Sequence, residues 1–137
     1  MRTIRFRGKD SNGNWHYGDL EHSPIGKFCR IHEYRNNGLY KWHADVDPET
    51  VGQFTGMLDK NGREIYEGDI IKIVEKFDDE NVYSGDGVVC FEEGIYKLQN
   101  GKHFAYLGWL MHNDDITKLE VVGNIHDNPE LLKGGKK

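Results

Sequence analysis

The stretch that most constrains this chain is DKNGREIYEGDIIKIV, residues 59–74. Asp59-Lys60-Asn61-Gly62 has the composition of a tight reversal, because Asn and Gly accept the left-handed backbone that a close turn needs. Ile65 and Tyr66 are bulky β-formers, Glu67-Gly68-Asp69 turns again, and Ile70-Ile71-Lys72-Ile73-Val74 is the most apolar run in the sequence. The order is turn, short strand, corner, strong strand. It predicts a body built from short antiparallel strands.

The rest of the chain has the same rhythm. In residues 3–8, Ile4 and Phe6 alternate with Arg5 and Arg7, which predicts an apolar face and a solvent face. Asp10-Ser11-Asn12-Gly13 turns the chain, Trp15 and Tyr17 alternate after it, and residues 3–18 read as a hairpin. Asp10-x-Asn12-Gly13-x-x-x-Tyr17-Gly18-Asp19-Leu20 also resembles Asp59-x-Asn61-Gly62-x-x-x-Tyr66-Glu67-Gly68-Asp69-Ile70, with Glu67 inserted. Either the chain holds two related β-modules, each ending in a Gly-Asp turn, or Asn-Gly and Gly-Asp corners simply recur as they do in β proteins. Residues 27–33 suggest a strand in which alternation does not choose between Phe28 and Cys29 as the inward residue. Asn36-Asn37-Gly38 reads as a turn, and Asp47-Pro48-Glu49-Thr50 as a single helical turn with Asp as its cap.

Beyond residue 74, Asp78-Asp79-Glu80-Asn81 reads as a solvated loop closed by Ser84-Gly85-Asp86-Gly87. Val88-Val89-Cys90-Phe91, Ile95-Tyr96-Lys97-Leu98 and Phe104-Ala105-Tyr106-Leu107 follow as strands. Trp109, Leu110 and Met111 could cover one end of this β body. Residues 119–125 make the final strand. Asp127 or Asn128 then caps about one helical turn at Pro129-Glu130-Leu131-Leu132, and residues 133–137 fray. The expected fold is mainly β in two small lobes, residues 1–56 and 57–137. The second is an SH3-like barrel by analogy of pattern.

Composition bounds the function. No apolar run approaches the roughly 20 residues of a membrane helix. No apolar core follows the charged start MRTIRFRGKD, so neither a signal peptide nor a membrane partner is expected and the reading is cytoplasmic. Cys29 and Cys90 are too far apart in sequence to suggest a disulfide framework or a zinc motif. The net charge of −5 argues against nucleic-acid binding by the whole surface, while a local basic face stays open.

The patterns that carry chemistry are mostly missing. His16, His22, His32, His43, His103, His112 and His126 show no paired metal-ligand spacing, so no metal or other cofactor is expected. In both Asx-Gly turns the glycine comes too early for a calcium loop. Asp45 and Asp47, Asp78 to Glu80, and Asp114-Asp115 are the acidic groups that a metal-dependent hydrolase would need, but the first two lie in loop sequence without an apolar frame. There is no nucleophile elbow and no phosphate loop. The strongest remaining functional signal is basic: Arg5 and Arg7 share a strand face, with Lys9 near, and Trp15 and Tyr17 sit on the partner strand. Such a surface can hold single-stranded nucleic acid by charge and stacking. Equally, Trp15 and Tyr17 could be core, and the arginines an ordinary solvent side.

Three blocks together resemble the YopX family: Gln53-Phe54-Thr55-Gly56, then residues 59–70, then residues 120–132, EVVGNIHDNPELL. The openings Ile4-Arg5-Phe6-Arg7-Gly8-Lys9 and Trp15-His16-Tyr17-Gly18-Asp19-Leu20 also match its start. Met57-Leu58 departs slightly, standing where a leucine-led pair is usual. The family comprises small proteins encoded in bacteriophages and prophages, so the resemblance implies a β-rich fold and a phage origin, without catalytic or binding residues to carry over. The expectation is a non-enzymatic accessory protein acting through protein contacts or self-association, with the basic hairpin as a nucleic-acid-binding alternative.

Overall fold

The computed structural model describes residues 1–35 and 37–134. Asn36, where one turn was expected to begin, and residues 135–137 of the tail lie outside that set. The protein is mainly β and divides into two compact units, Met1–Gly56 and Met57–Lys137.

The first unit opens with β1 (Phe6–Lys9) and β2 (Trp15–His22), followed by β3 (Cys29–Arg35) and β4 (Tyr40–Asp45). A 3-10 turn at Pro48–Thr50, capped by Asp47, leads into β5 (Gly52–Leu58), which runs through the division at Gly56. Within this unit the strands of the antiparallel sheet follow the order β4-β3-β2-β1-β5. Cys29 and Ile31, two apart on β3, share the inward face and pack with Val46, Phe6, Leu20 and Val51. The inward set on β3 therefore includes Cys29 rather than Phe28.

Gly18 and Asp19 correct the sequence reading. They do not turn the chain but lie inside β2, where Asp19 pairs with His32. A Cβ on Gly18 would stand 1.9 Å from the His32 carbonyl oxygen, so glycine is required here by a close backbone approach, not by a corner.

The second unit contains β6 (Glu64–Tyr66), β7 (Asp69–Phe77), β8 (Glu80–Glu92), β9 (Ile95–Asn100), β10 (His103–Tyr106) and β11 (Ile116–Asn124). Two short helices, α1 (Leu107–Met111) and α2 (Glu130–Gly134), complete it. Five strands form an antiparallel sheet in the order β10-β9-β8-β7-β11, and no ladder joins β10 to β11 among the described residues. Its core is Ile65, Ile71, Val89, Leu98, Leu107, Leu110, Ile116, Leu119 and Val121. Leu107 and Leu110 are three apart on α1 and put one helix face into that core, as the 3.6-residue period requires.

The expected long loop after residue 77 is also corrected. Asp78 and Asp79 take left-handed backbone angles, φ 49° and 64°, and close a two-residue hairpin, so β8 starts at Glu80 and absorbs Ser84-Gly85-Asp86-Gly87. Asx side chains tolerate that conformation better than most residues.

The second Gly-Asp site is the corner that its sequence suggests. Gly68 has φ +88°, and the Tyr66 amide donates to Asp69 Oδ2 at 2.8 Å. Asp69 is buried there, its carboxylate accepting a backbone N–H as the chain enters β7.

Candidate functional site

The hairpin singled out from the sequence is assembled as β1 against β2, with Arg7 opposite Tyr17 and Lys9 opposite Trp15. The exposure of its side chains differs from the alternation argument. Arg7 lies on the strand face opposite Phe6, yet it is only 4% exposed, with its guanidinium carbon 4.8 Å from the centre of the Trp15 ring. Lys9 Nζ lies 5.9 Å from the same ring. The half-buried indole is thus packed with two cations, an arrangement that stabilises by charge–quadrupole attraction. Arg5 is half-buried and its carbonyl accepts from the Phe54 amide at 2.8 Å; Tyr17 is exposed. Of the five residues expected to form one open basic and aromatic surface, Arg7 is buried, Arg5, Lys9 and Trp15 are half-buried, and only Tyr17 is exposed.

Next to this arrangement is a set of imidazole–carboxylate contacts that sequence spacing did not indicate. His16 Nε2 lies 2.8 Å from Asp10 Oδ2, and His16 Nδ1 lies 3.2 Å from Glu33 Oε1. Glu33 also accepts from the Tyr17 amide and from Arg35 Nη2, both at 3.2 Å. The hydrogen bond from His16 is the main cause that holds the Asp10 carboxyl below its ordinary range, with the Asn14 amide next. On the other face of the sheet, His32 Nε2 lies 2.7 Å from Glu21 Oε1, and this contact lowers the Glu21 carboxyl in the same way. His32 stands opposite His43 in the β3–β4 ladder, with ring centres 5.6 Å apart. Residues 32 and 43 show no ligand spacing in sequence. Only the pairing of β3 with β4 reveals them as neighbours.

Three of the acidic groups considered for hydrolysis have structural partners. Asp45 pairs with Arg30 Nε at 2.9 Å, Asp47 caps the 3-10 turn through the Glu49 amide at 3.0 Å, and Asp79 meets Lys76 Nζ at 3.6 Å. Both cysteines are free, and burial raises their thiol pKa values, which lowers thiolate content and hence nucleophilicity at neutral pH. Among the described residues no three His, Cys, Asp or Glu side chains are gathered around a common point suited to an ion. No helix among them is long and apolar enough to cross a membrane.

In the second unit, the central turn is anchored to the last strand. Asp59 Oδ1 accepts from the Asn61 and Arg63 amides, each at 2.9 Å, while Oδ2 accepts from the Val121 amide at 2.9 Å. The Lys60 amide donates to the Leu119 carbonyl at 3.0 Å, Lys60 Nζ donates to the Ile116 carbonyl, and Asn61 Nδ2 donates to Glu120 Oε2 at 3.1 Å. Of the three sequence blocks that carried the resemblance, the second and third therefore meet here.

The same unit exposes aromatic rings at one edge of its sheet. Phe104 and Tyr106 alternate on β10 and are 52% and 47% exposed, with ring centres 5.7 Å apart and Lys97 Nζ 4.6 Å from the Phe104 ring. Trp109 on α1 is exposed as well.

Known proteins resemble this chain over most of its length. The family model described as YopX protein matches residues 5–133. The SPbeta prophage-derived uncharacterized protein YopX of Bacillus subtilis (strain 168) is 27% identical over 130 residues, spanning 92% of this chain and 81% of that protein. Among solved structures, the crystal structure of protein EF1440 from Enterococcus faecalis superposes with a TM-score of 0.57 at 20% identity, covering 96% of this chain and 99% of the other, a likeness of fold. With the family match extending over almost its whole length, this chain belongs to the YopX family.

Proposed function

We propose that this protein is a non-catalytic prophage accessory protein of the bacterial cytoplasm that works through protein contacts, with self-association as the first of them. The observation that carries the reading is the edge strand β10, whose Phe104 and Tyr106 rings are half exposed. An end strand offers a row of backbone donors and acceptors, and aromatic side chains beside it add apolar area to any strand laid along it. The titratable groups described above favour this reading over catalysis, since Asp45, Asp47 and Asp79 serve a turn or ion pairs and burial raises the thiol pKa values. The prophage setting is taken from the name of the Bacillus relative. A nucleic-acid role has less support, because Arg7 and Trp15 are engaged with each other and the net charge is −5.

Sedimentation equilibrium across a concentration series tests the proposal. The expected result is a mass above one chain that falls toward the monomer in Phe104→Glu/Tyr106→Glu. A monomer at every concentration, or an assembly indifferent to both substitutions, overturns it.

A further inference from the structure

We propose that His32 and His43 are the primary ligand pair for a divalent late first-row transition ion such as Zn2+. This inference is independent of self-association. It starts from the ladder: the two histidines are directly opposite on β3 and β4, so the pleat puts both side chains on one face of the sheet. Their ring centres are 5.6 Å apart and the planes are tilted by 51°. Two imidazoles on one tetrahedral zinc, with metal–nitrogen bonds of about 2.0–2.1 Å, have ring centres roughly 5 Å apart. The observed spacing needs only a small rotation of the rings to meet that value.

The second observation is on His32 itself. Its Nε2 is engaged by Glu21 Oε1 at 2.7 Å, while its Nδ1 is buried and has no hydrogen-bond partner among the described residues. An imidazole that donates from Nε2 keeps its lone pair on Nδ1, the state a metal ligand needs. A carboxylate on the far nitrogen is the usual partner that orients such a ligand and raises its basicity. The charged groups sharing this face by register are Asp19 and Glu21 from β2, Arg30 from β3, Lys41 and Asp45 from β4, and Arg7 and Lys9 further across on β1. His43 is exposed, so the ion has a path from solvent. Because no three ligating side chains converge, water completes the coordination, and the site is weaker than a four-ligand structural zinc. Imidazole donors select zinc, copper and nickel over magnesium and calcium.

The test is a Zn2+ titration of the full chain, followed by calorimetry and by histidine-ring 1H–15N spectra. Saturable binding is expected, with the His32 and His43 resonances shifting before those of the other five imidazoles. His43→Ala, at an exposed position where folding is easily checked by circular dichroism, should weaken binding by about tenfold or more. Glu21→Gln should weaken it by roughly 10-fold without removing a ligand. The proposal is overturned by an absence of saturable binding up to about 1 mM, by a His43→Ala variant that binds as the wild type does, or by a response that begins at other histidines.

Discussion

The turns at Asp10 and Asp59 are the same device in two settings. In each, the aspartate Oδ1 accepts from the amides two and four residues on, at 2.9 Å, and in each the fourth residue, Gly13 or Gly62, donates back to the aspartate carbonyl. The glycine angles agree as well, φ 84° and 85°. What differs is the second carboxylate oxygen. Asp10 Oδ2 meets the His16 side chain near solvent, whereas Asp59 Oδ2, on a residue only 5% exposed, accepts a backbone amide 62 residues away. A four-residue turn thus fixes its own hydrogen bonds, while the surrounding fold decides whether its spare oxygen becomes a titratable contact or a buried anchor.

The sharpest way to break this comparison is to remove both carboxylates in turn. Asp59→Ala leaves the Asn61, Arg63 and Val121 amides without their acceptor and should cost about 3–4 kcal/mol, since hydrogen bonds to a charged group contribute roughly 1.5–3 kcal/mol each and do not add fully. Asp10→Ala removes the equivalent turn bonds at the surface and should cost clearly less. Urea midpoints of the two variants measure the difference; equal losses would mean that the Val121 anchor adds nothing.

The glycines of the two repeats separate next. Gly18→Ala drives a methyl into the His32 carbonyl and forces the β2–β3 ladder apart, at about 2–3 kcal/mol. Gly68→Ala meets backbone strain at φ +88°, at about 1–2 kcal/mol. Thermal unfolding ranks the pair, and a milder Gly18→Ala would show that the strands can part cheaply.

The smallest effect is that of pH. The folded Asp10 carboxyl lies below its ordinary 3.8, so its contribution is complete above that pH and fades as pH falls through the folded value. The stability difference between wild type and Asp10→Asn should therefore be constant above about pH 5 and close below pH 4. A difference that instead opens on acidification would reverse the assigned role of His16.

Much of this could be read from the letters, and the failures have specific causes. The Asp-x-Asn-Gly turns and the strand content follow from local chemistry, which residues 10–13 and 59–62 carry within themselves. Gly18 and Gly68 are the same letter before the same aspartate, yet one is chosen for the space beside a neighbouring strand and the other for its φ, and the shared pattern differs in spacing by the inserted Glu67. Arg7 lies on the strand face that alternation predicts, but alternation says nothing about what covers that face. The hairpin at Asp78 and Asp79 was hidden because both residues adopt angles that Gly or Asn would have advertised. The His32–His43 neighbourhood depended on the β3–β4 register, a non-local quantity that no single segment encodes.

The Asp59–Val121 contact also bears on how the chain is made. In the first unit the turn at Asp10 is satisfied by partners close in sequence, the Asn12 and Asn14 amides and the His16 side chain. The second is ordered differently: the carboxylate of its middle turn accepts from an amide 62 residues further along, so that contact waits until β11 has been made. A chain cut short ahead of that strand would leave the turn's carboxylate without its partner, a product that cellular proteases are well placed to recognise.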